Sequence, residues 1–338
     1  MSLYAAIDLH STNSVLAVIN QAGEPVFQRR YRNELAALLA ALAPYHAELS
    51  GVVVESTYNW YWLVDGLMDH DYSVHLANTA AIPQYAGLKH GDDVTDALHL
   101  AELLRLGLLP EGFIFPRALR AVRDLMRRRM LLVHQAVQLM LSIQSTYSRV
   151  TGQCWSADAV RHLQAESLTQ AFPEPYTRYA VLLQYKHWCA LQEDIQHLEH
   201  EAQQALIDPA LRQRLCSVPG IGPILSLTIQ LETGPIERFA SVGDYASYCR
   251  MVESTRISNG KRKGQGNRKC GNRYLCWAYM EAANHAKRHC EPIRRWHQRK
   301  HARKHPVVAI KAVAHKLSRA CYHIMREGTT FDAQRAFH

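Results

Sequence analysis

The chain has 338 residues, and its 39 Lys and Arg residues against 30 Asp and Glu residues give a net charge of +9. At roughly 100 to 200 residues per domain, this length predicts two or three domains. An apolar fraction of 48% is sufficient for packed cores, which excludes an intrinsically disordered chain. No run of about 18 uncharged apolar residues is present, and the first residues lack the segments of a secretory signal. We therefore expect a cytoplasmic protein without membrane contact.

The first 110 residues predict an α/β domain. Three apolar, β-branched runs separated by polar turns predict an antiparallel meander, and the apolar spacing that follows predicts alternating helices and strands. The predicted strands are 4–9, 14–20, 25–31, 51–55 and 72–76, and the predicted helices are 34–42, 58–68 and 92–106. This order gives a mixed sheet and resembles the ribonuclease-H-like fold.

Long helices are predicted from about residue 116. Apolar residues recur there at steps of three and four, in two stretches joined by a segment with Pro173 and Pro175. Such spacing is typical of the seams of a helical hairpin or coiled coil, which commonly serves dimerisation. The seam residues are Val122, Met126, Met130, Val133, Val137 and Met140, then Val181, Tyr185, Trp188, Leu191, Ile195, Leu198, Ala202 and Ala205.

The last region begins near the run Val218-Pro219-Gly220-Ile221-Gly222-Pro223. A turn of this kind between helices resembles helix-hairpin-helix elements, whose exposed backbone amides can contact a phosphate. A plain glycine-rich turn explains the same residues equally well. We predict three domains, 1–112, 113–210 and 211–338, and a fold class of α/β followed by all-α.

Charge is distributed unevenly along the chain. Residues 1–110 carry a net charge of −7, whereas residues 251–326 carry 19 basic and 3 acidic residues. An excess of this size predicts a polyanionic partner. Nucleic acid is favoured over a membrane surface, because turn residues interrupt the basic segment. The side chains predicted to bind nucleic acid are Arg256, Lys261, Arg262, Lys263, Arg268, Lys269, Arg273, Arg294, Arg295, Arg299 and Lys300.

Carboxylates of the first domain stand where a metal site would form. Asp8 ends the first strand, Glu55 ends a later apolar strand, and Asp93 and Asp96 lie three residues apart at a predicted helix start. Strand ends at one sheet edge converge, and residues three apart share a helix face, so the four could meet in one pocket. Oxygen ligands favour Mg²⁺ or Mn²⁺, and two such ions suit attack at a phosphodiester. Asp93 and Asp96 are also explained as acids that stabilise a helix N-terminus.

Five short motifs in this chain order resemble one family. They are Ala6-Ile7-Asp8-Leu9-His10, Val54-Glu55-Ser56-Thr57, Asp93-Val94-Thr95-Asp96-Ala97, Val218-Pro219-Gly220-Ile221-Gly222, and Ser258-Asn259-Gly260 followed by Gly271-Asn272-Arg273-Tyr274-Leu275. Each motif is weak alone, but the five in sequence over nearly the whole chain are specific. The set is similar to the DEDD transposases of the IS110 family of insertion sequences, and within it to the IS1111 subgroup of bridge-RNA-guided recombinases.

The resemblance implies an enzyme that cuts and rejoins DNA. It implies a RuvC-like domain in which Asp8, Glu55, Asp93 and Asp96 bind Mg²⁺ or Mn²⁺, and a carboxy-terminal transposase domain in which Ser258 becomes joined to DNA. A serine hydroxyl is a poor nucleophile at neutral pH and needs activation by a metal or base. The implied partners are donor and target DNA, a noncoding guide RNA, and further copies of the chain as dimers that pair into tetramers. Such a protein would be associated with the bacterial nucleoid.

Three alternatives remain open from the residues. The first is a RuvC-like junction nuclease that uses water and forms no adduct, with Ser258 as a turn residue or phosphate contact. The second is a sugar-kinase or actin-like ATPase, because the residues from Asp8 onward resemble the first phosphate loop of that fold. That loop normally has glycine where His10 stands, and the basic tail would be unexplained. The third is a nucleic-acid-binding protein without catalytic activity, in which replacing the acids would change nothing.

Overall fold

The computed structural model describes residues 2–82, 93–205, 208–252, 255–265 and 270–337, with the backbone alone at 255–258, 262 and 265. The chain forms two compact units. Unit 1 contains residues 1–114 and 254–270, and unit 2 contains residues 115–253 and 271–338. The two units are described separately below.

Unit 1 is built around a six-stranded mixed sheet. Its strands are β1 (Leu3–Leu9), β2 (Asn13–Ile19), β3 (Pro25–Arg32), β4 (Leu49–Glu55), β5 (Val74–Ala77) and β6 (Glu111–Gly112). The strand order is β3-β2-β1-β4-β5-β6, in which β1, β4 and β5 are parallel and the remaining pairs are antiparallel. The first three strands form the predicted antiparallel meander. The short edge strand β6 is not among the predicted strands.

Helices cover both faces of this sheet. The helices of unit 1 are α1 (Leu35–Leu42), α2 (Tyr61–Met68) and α3 (Asp93–Arg105), with 3-10 turns at Ala43–Glu48 and Thr79–Ala81. Because side chains alternate along a strand, Ile7 and Val54 pack with α1 and α2, whereas Ala6 and Val53 pack with α3. Asp8 and Glu55 are in phase with Ala6 and Val53, so they belong to the sheet face that α3 covers.

A two-stranded hairpin completes unit 1. Strand β7 (Thr255–Ser258) pairs antiparallel with β8 (Lys261–Gln265). The two residues between them, Asn259 and Gly260, have φ values of +50° and +69°. Two successive positive φ angles are those of a type I′ turn, for which Asn-Gly is the preferred sequence.

Two long helices of unit 2, α4 (Arg117–Thr151) and α7 (Pro175–Gln204), pack as an antiparallel hairpin that we call the arm. Two short helices, α5 (Ala157–Arg161) and α6 (Ala165–Ala171), lie in the connection. The buried residues of α7 recur every seventh position, as a heptad seam requires, at Val181, Trp188, Ile195 and Ala202. The prediction that Val137 belongs to the seam is wrong. Val137 is 41% exposed, and Ala136 packs against Trp188 and Ile195 instead, because a small residue leaves room for the indole.

The remaining helices of unit 2 enclose a separate core that includes the buried rings of Tyr245 and Tyr279. They are α8 (Pro209–Cys216), α9 (Pro223–Thr233), α10 (Val242–Tyr248), α11 (Arg273–His289), α12 (Glu291–His301), α13 (Pro306–Glu327) and α14 (Ala333–Ala336), with a 3-10 turn at Ile236–Arg238. Within the described ranges, no helix has the length and apolar character needed to cross a bilayer.

The glycine-rich run lies between α8 and α9, as predicted, and α11 packs closely against it. Gly220 has a φ of +84°, and a Cβ atom at this position would lie 2.2 Å from the carbonyl oxygen of Ala282. Only glycine accepts both the positive φ and this approach of a neighbouring backbone. Packing is thus a sufficient reason for glycine at this position.

A buried ion cluster joins the arm to the other helices of unit 2. Glu232 of α9 accepts hydrogen bonds from Arg123 (2.9 Å) and Arg127 (2.6 and 2.8 Å) of α4, and from the side-chain amide of Asn272 (2.7 Å). Burial raises the pKa of the Glu232 carboxyl, but Arg127, Arg123 and Asn272 outweigh burial and hold the pKa below its usual value. The carboxylate is therefore ionised and satisfied inside the protein.

Candidate metal centre

The sheet and α3 bring four acidic side chains of unit 1 to one place. Ile7 lies opposite Val54 in the parallel pairing of β1 with β4, so the next residues, Asp8 and Glu55, are neighbours at the ends of adjacent strands. The side chains of α3 that pack on this face are Ala97, Leu100 and Ala101. Asp93 and Asp96 lie one turn before Ala97 and Leu100, and residues four apart share a helix face.

Asp8 and Glu55 repel each other unless a positive charge or a proton lies between them. Asp8 is 4% exposed. Burial raises the pKa of the Glu55 carboxyl to about 8, and a hydrogen bond with Asp8 and the negative charges of Asp8 and Asp96 add to this effect. Without a cation, the Asp8–Glu55 pair therefore holds one proton at neutral pH. A divalent cation would take the place of that proton.

His10 and Asp93 are also part of the cluster, next to Asp8. The Nε2 atom of His10 lies 3.3 Å from Oδ2 of Asp8 and 3.2 Å from Oδ1 of Asp93. Arg30 of β3 pairs with Oδ2 of Asp93. Desolvation raises the pKa of the Asp93 carboxyl, but the hydrogen bond from Arg30 and the charges of His10 and Arg30 outweigh it and lower the pKa.

The donor atoms of this cluster fit a divalent cation. One atom each from Asp8, His10 and Asp93 lies within 4.8 Å of the other two. Oδ2 of Asp8 and Nε2 of His10 are both buried without a hydrogen-bond partner. A buried polar atom without a partner is unfavourable by about 1–3 kcal/mol, and a cation bound between these atoms would remove that penalty. Carboxylate oxygens are the ligands that Mg²⁺ and Mn²⁺ prefer.

The sequence predicts the four acids as metal ligands but does not predict His10. The signal that was available is the spacing Asp8-x-His10 at a strand end, because residues two apart in an extended chain point to the same side. In the sequence, His10 is part of the first family motif and replaces the glycine of a phosphate loop, and neither feature predicts a metal ligand.

Ser258 is the last residue of β7, and its Cα lies opposite that of Lys261 next to the Asn-Gly turn. The described backbone of residues 255–265 belongs to unit 1, the unit that contains the four acids. The side chains of Ser258, Arg256 and Arg262 lie outside the described part of the structure. Residues 266–269, which include the predicted contacts Arg268 and Lys269, lie outside it altogether.

The described basic residues predicted to bind nucleic acid are exposed. They are Lys261, Lys263, Arg273, Arg294, Arg295, Arg299 and Lys300. Helix α12 buries Ile293 and Trp296 and turns its charged side chains outward. Beside it lies a cavity of about 630 Å³ lined by Trp296, Arg299, Lys300, Ala302, Arg303 and Lys304. Two of the basic residues, Arg294 and Arg295, also pair with Glu291.

A mixed sheet with carboxylates gathered under a covering helix is consistent with a metal-dependent nuclease domain of the DEDD class. Residues 5–150 match a family model described as a transposase, the DEDD transposase of IS110. Residues 212–299 match a second model, described as the transposase of the IS116/IS110/IS902 family. By these two domains, the chain belongs to the IS110 family of transposases.

One curated relative supports the same family. The transposase for insertion sequence element IS1328 of Yersinia enterocolitica is 26% identical over 161 residues, which are 46% of this chain and 48% of the relative. The chain thus spans about half the length of the relative that it matches. Membership of a DEDD family implies the use of a divalent metal, in keeping with the Asp8, His10 and Asp93 cluster.

Proposed function

We propose that this chain is an insertion-sequence transposase that cuts and rejoins DNA with a divalent cation held by Asp8, Glu55, Asp93 and Asp96. The observation that carries the proposal is the convergence of these acids, from three separate elements, around buried donor atoms without hydrogen-bond partners. A cluster of this kind is unfavourable for folding alone, and it becomes favourable when a cation is bound.

Each residue of the centre has a defined task in this proposal. Asp8 and Glu55 would hold the cation from the sheet, and Asp93 and Asp96 would hold it from α3. Arg30 keeps one oxygen of Asp93 engaged and leaves the other facing the cluster. When bound, the cation supplies positive charge that activates the nucleophile and stabilises the leaving oxygen.

We propose Ser258 as the covalent nucleophile. Its hydroxyl oxygen forms a bond to a phosphorus of the DNA backbone, and the bond from that phosphorus to one bridging oxygen breaks, which leaves a free hydroxyl on one strand end. A hydroxyl of a second strand then attacks the phosphoserine, and the serine hydroxyl is regenerated. Each step exchanges one phosphoester for another, so no ATP is consumed. The exposed Lys261 and Lys263 beside the turn favour an approaching phosphate.

The partners in this proposal are donor DNA, target DNA and a noncoding guide RNA, whose base pairing would supply the sequence specificity. The exposed basic residues and the α12 cavity support contacts to a nucleic-acid backbone. We also propose that the chain associates with itself through the arm, as dimers that pair into tetramers and complete active sites between subunits. Such a protein acts in the cytoplasm, at the nucleoid.

The metal assignment is tested with Asp8→Asn in the full chain. We expect DNA strand transfer to fall by roughly a hundredfold or more, whereas DNA and RNA binding stay within about threefold of wild type. Asp69→Asn, an exposed acid of unit 1, is the matched control and should recombine normally. Normal recombination by Asp8→Asn would contradict the assignment.

The nucleophile is tested by trapping. Ser258→Ala should bind DNA yet form no protein–DNA adduct on a denaturing gel, and mass spectrometry of the wild-type adduct should find the nucleotide on Ser258. Mixing Ser258→Ala with Asp8→Asn protein should restore some activity through mixed active sites. A nuclease that uses water would cleave DNA without any adduct, and an adduct on another residue would overturn the role of Ser258.

The nucleic-acid surface is tested by salt dependence. Each phosphate contact contributes about 0.7–0.9 to the slope of log affinity against log salt concentration. Replacing three basic residues of the α12 cavity by alanine should therefore reduce this slope, whereas three exposed basic residues in or beside the arm should not affect it. The test set is Arg299, Lys300 and Arg303, and the control set is Arg149, Arg161 and Lys186. Equal slopes would show that the cavity does not contact nucleic acid.

A further inference from the structure

Besides the acids, the described metal centre contains the side chain of His10. Its side chain is 39% exposed, but its Nε2 atom is buried and has no hydrogen-bond partner. This atom lies between two carboxylates, 3.3 Å from Asp8 and 3.2 Å from Asp93. The outer part of the ring thus faces solvent, while the nitrogen that can act as a ligand faces the acids.

Asp8 provides a second, independent observation. Its side chain is only 5% exposed, and its Oδ2 atom, which faces His10, also has no hydrogen-bond partner. Buried polar atoms almost always have partners. Two such atoms, which lie 3.3 Å apart, are both placed to bind one cation.

Hydrogen bonds from two distant segments fix the backbone of His10. Its carbonyl oxygen accepts hydrogen bonds from the side-chain amides of Asn33 (2.9 Å) and Asn59 (3.1 Å). Each amide oxygen accepts in turn from a hydroxyl, that of Ser14 for Asn33 (2.6 Å) and that of Thr57 for Asn59 (2.8 Å). Outer partners of this kind orient a metal ligand before the metal arrives.

Arg30 orients the third donor. It contacts Oδ2 of Asp93 and also donates a hydrogen bond to the side chain of Asn13 at 3.0 Å. With Oδ2 engaged, the other oxygen of Asp93 faces Nε2 of His10. The cluster therefore offers one nitrogen and two oxygens from three fixed side chains.

We propose that His10 binds the divalent metal through Nε2, beside Asp8 and Asp93, and that this nitrogen shifts the preference of the site from Mg²⁺ toward Mn²⁺. The inference rests on the proposed function, because the same acids must hold the metal. Imidazole nitrogen is a softer donor than carboxylate oxygen and favours transition metals, whereas Mg²⁺ favours oxygen ligands and water. A site with His10 among its ligands is therefore a mixed nitrogen and oxygen site.

Pulsed electron paramagnetic resonance of Mn²⁺ bound to the full chain tests the ligand directly. We expect a ¹⁴N coupling to Mn²⁺ in the wild-type protein, and its replacement by a ¹⁵N coupling when histidine is labelled. The coupling should be lost in His10→Gln and retained in His46→Gln, which removes an exposed histidine of unit 1. The labelled wild-type protein keeps the test valid even if His10→Gln folds poorly.

Metal affinities measured by calorimetry supply the second readout. In His10→Gln, Mn²⁺ affinity should fall by about tenfold or more, whereas Mg²⁺ affinity should change by no more than about threefold, because the acids supply the oxygen ligands that Mg²⁺ prefers. Mn²⁺ binding without histidine nitrogen coupling, or with unchanged affinity in His10→Gln, would overturn the role of His10 and leave the proposed function intact. Failure of the wild-type protein to bind Mn²⁺ or Mg²⁺ at all would contradict both.

Discussion

Glu232 of unit 2 is buried and Glu55 of unit 1 is half-buried, and their surroundings differ. Glu232 meets two arginines and an asparagine amide, which lower its pKa and leave it ionised. Glu55 meets other acids, and burial together with Asp8 raises its pKa to about 8. The first arrangement is complete within the chain. In the second, Asp8 and Asp96 act on Glu55, and the basic side chains of the centre, His10 and Arg30, pair with Asp8 and Asp93 instead. A buried acid with its counter-charges stabilises a fold, whereas a buried acid among other acids indicates a ligand.

The largest expected difference lies in what each site contributes to stability. Glu232→Gln leaves Arg123 buried, and Arg127 partly buried, without a negative partner, and removing one member of a buried ion pair is unfavourable by about 3–5 kcal/mol. Chemical denaturation, with hydrogen exchange of unit 2 as the local probe, measures this loss. Glu237→Gln, on the 3-10 turn of the same unit and largely exposed, is the control. A loss below about 1 kcal/mol would contradict the structural role of the cluster.

The next effect is a pH dependence of opposite sign in the two units. The lowered pKa of Glu232 gives stability that is present above its unfolded pKa of about 4.5 and is lost as pH falls through the lower folded value. The raised pKa of Glu55 gives the reverse in metal-free protein. Stability there is full below pH 4.5 and falls as pH rises toward about 8. Hydrogen exchange of each unit in chelator, from pH 4 to 9, reports both signs.

If the stability of both units changed with pH in the same direction, the expected difference between Glu55 and Glu232 would be wrong. Excess Mg²⁺ supplies an internal control, because a bound cation should abolish the fall in unit 1 at high pH and leave unit 2 unchanged.

A smaller difference separates the arginines of the two sites. Arg30→Ala removes a half-exposed ion pair with Asp93, so the free energy of unfolding in chelator should fall by at most about 1 kcal/mol. Arg123→Ala should lower it by several times more, because Arg123 is buried against Glu232. Denaturation curves of both variants decide the matter. Equal losses would show that Arg30 has a structural role beyond orienting Asp93.

The smallest effect concerns Asp8→Asn in chelator. Because the substitution removes one of several repelling charges, stability should change by less than about 1 kcal/mol or rise slightly, although Asp8 is buried. Thermal unfolding in chelator measures the change. A loss as large as that expected for Glu232→Gln would mean that Asp8 supports the fold rather than a metal.

Much of unit 1 follows from local sequence. The first three strands are short apolar runs between polar turns, and the Asn-Gly pair specifies the β7–β8 turn. The prediction of the four acids as site residues rests on strand ends and a helix start, which local sequence patterns indicate. The sequence does not predict His10, because its orientation depends on Asn33 and Asn59, which are 23 and 49 residues away.

The same limit applies in unit 2. Glu232 is paired with Arg123 across 109 residues, and no local pattern links them. In the arm, apolar spacing located both helices but did not choose between Ala136 and Val137. The large side chain of Trp188 packs on Ala136 and favours a small residue there. This preference can be recognised only when the two helices are paired.

Direct titration of the metal-free full chain with Mn²⁺ tests the central claim that the acids of unit 1 hold a divalent metal. The account predicts saturable binding to wild type and to Asp69→Asn, and loss of that binding, by about a hundredfold or more in affinity, in Asp8→Asn. Equal binding by wild type and Asp8→Asn, with both proteins folded, would contradict it.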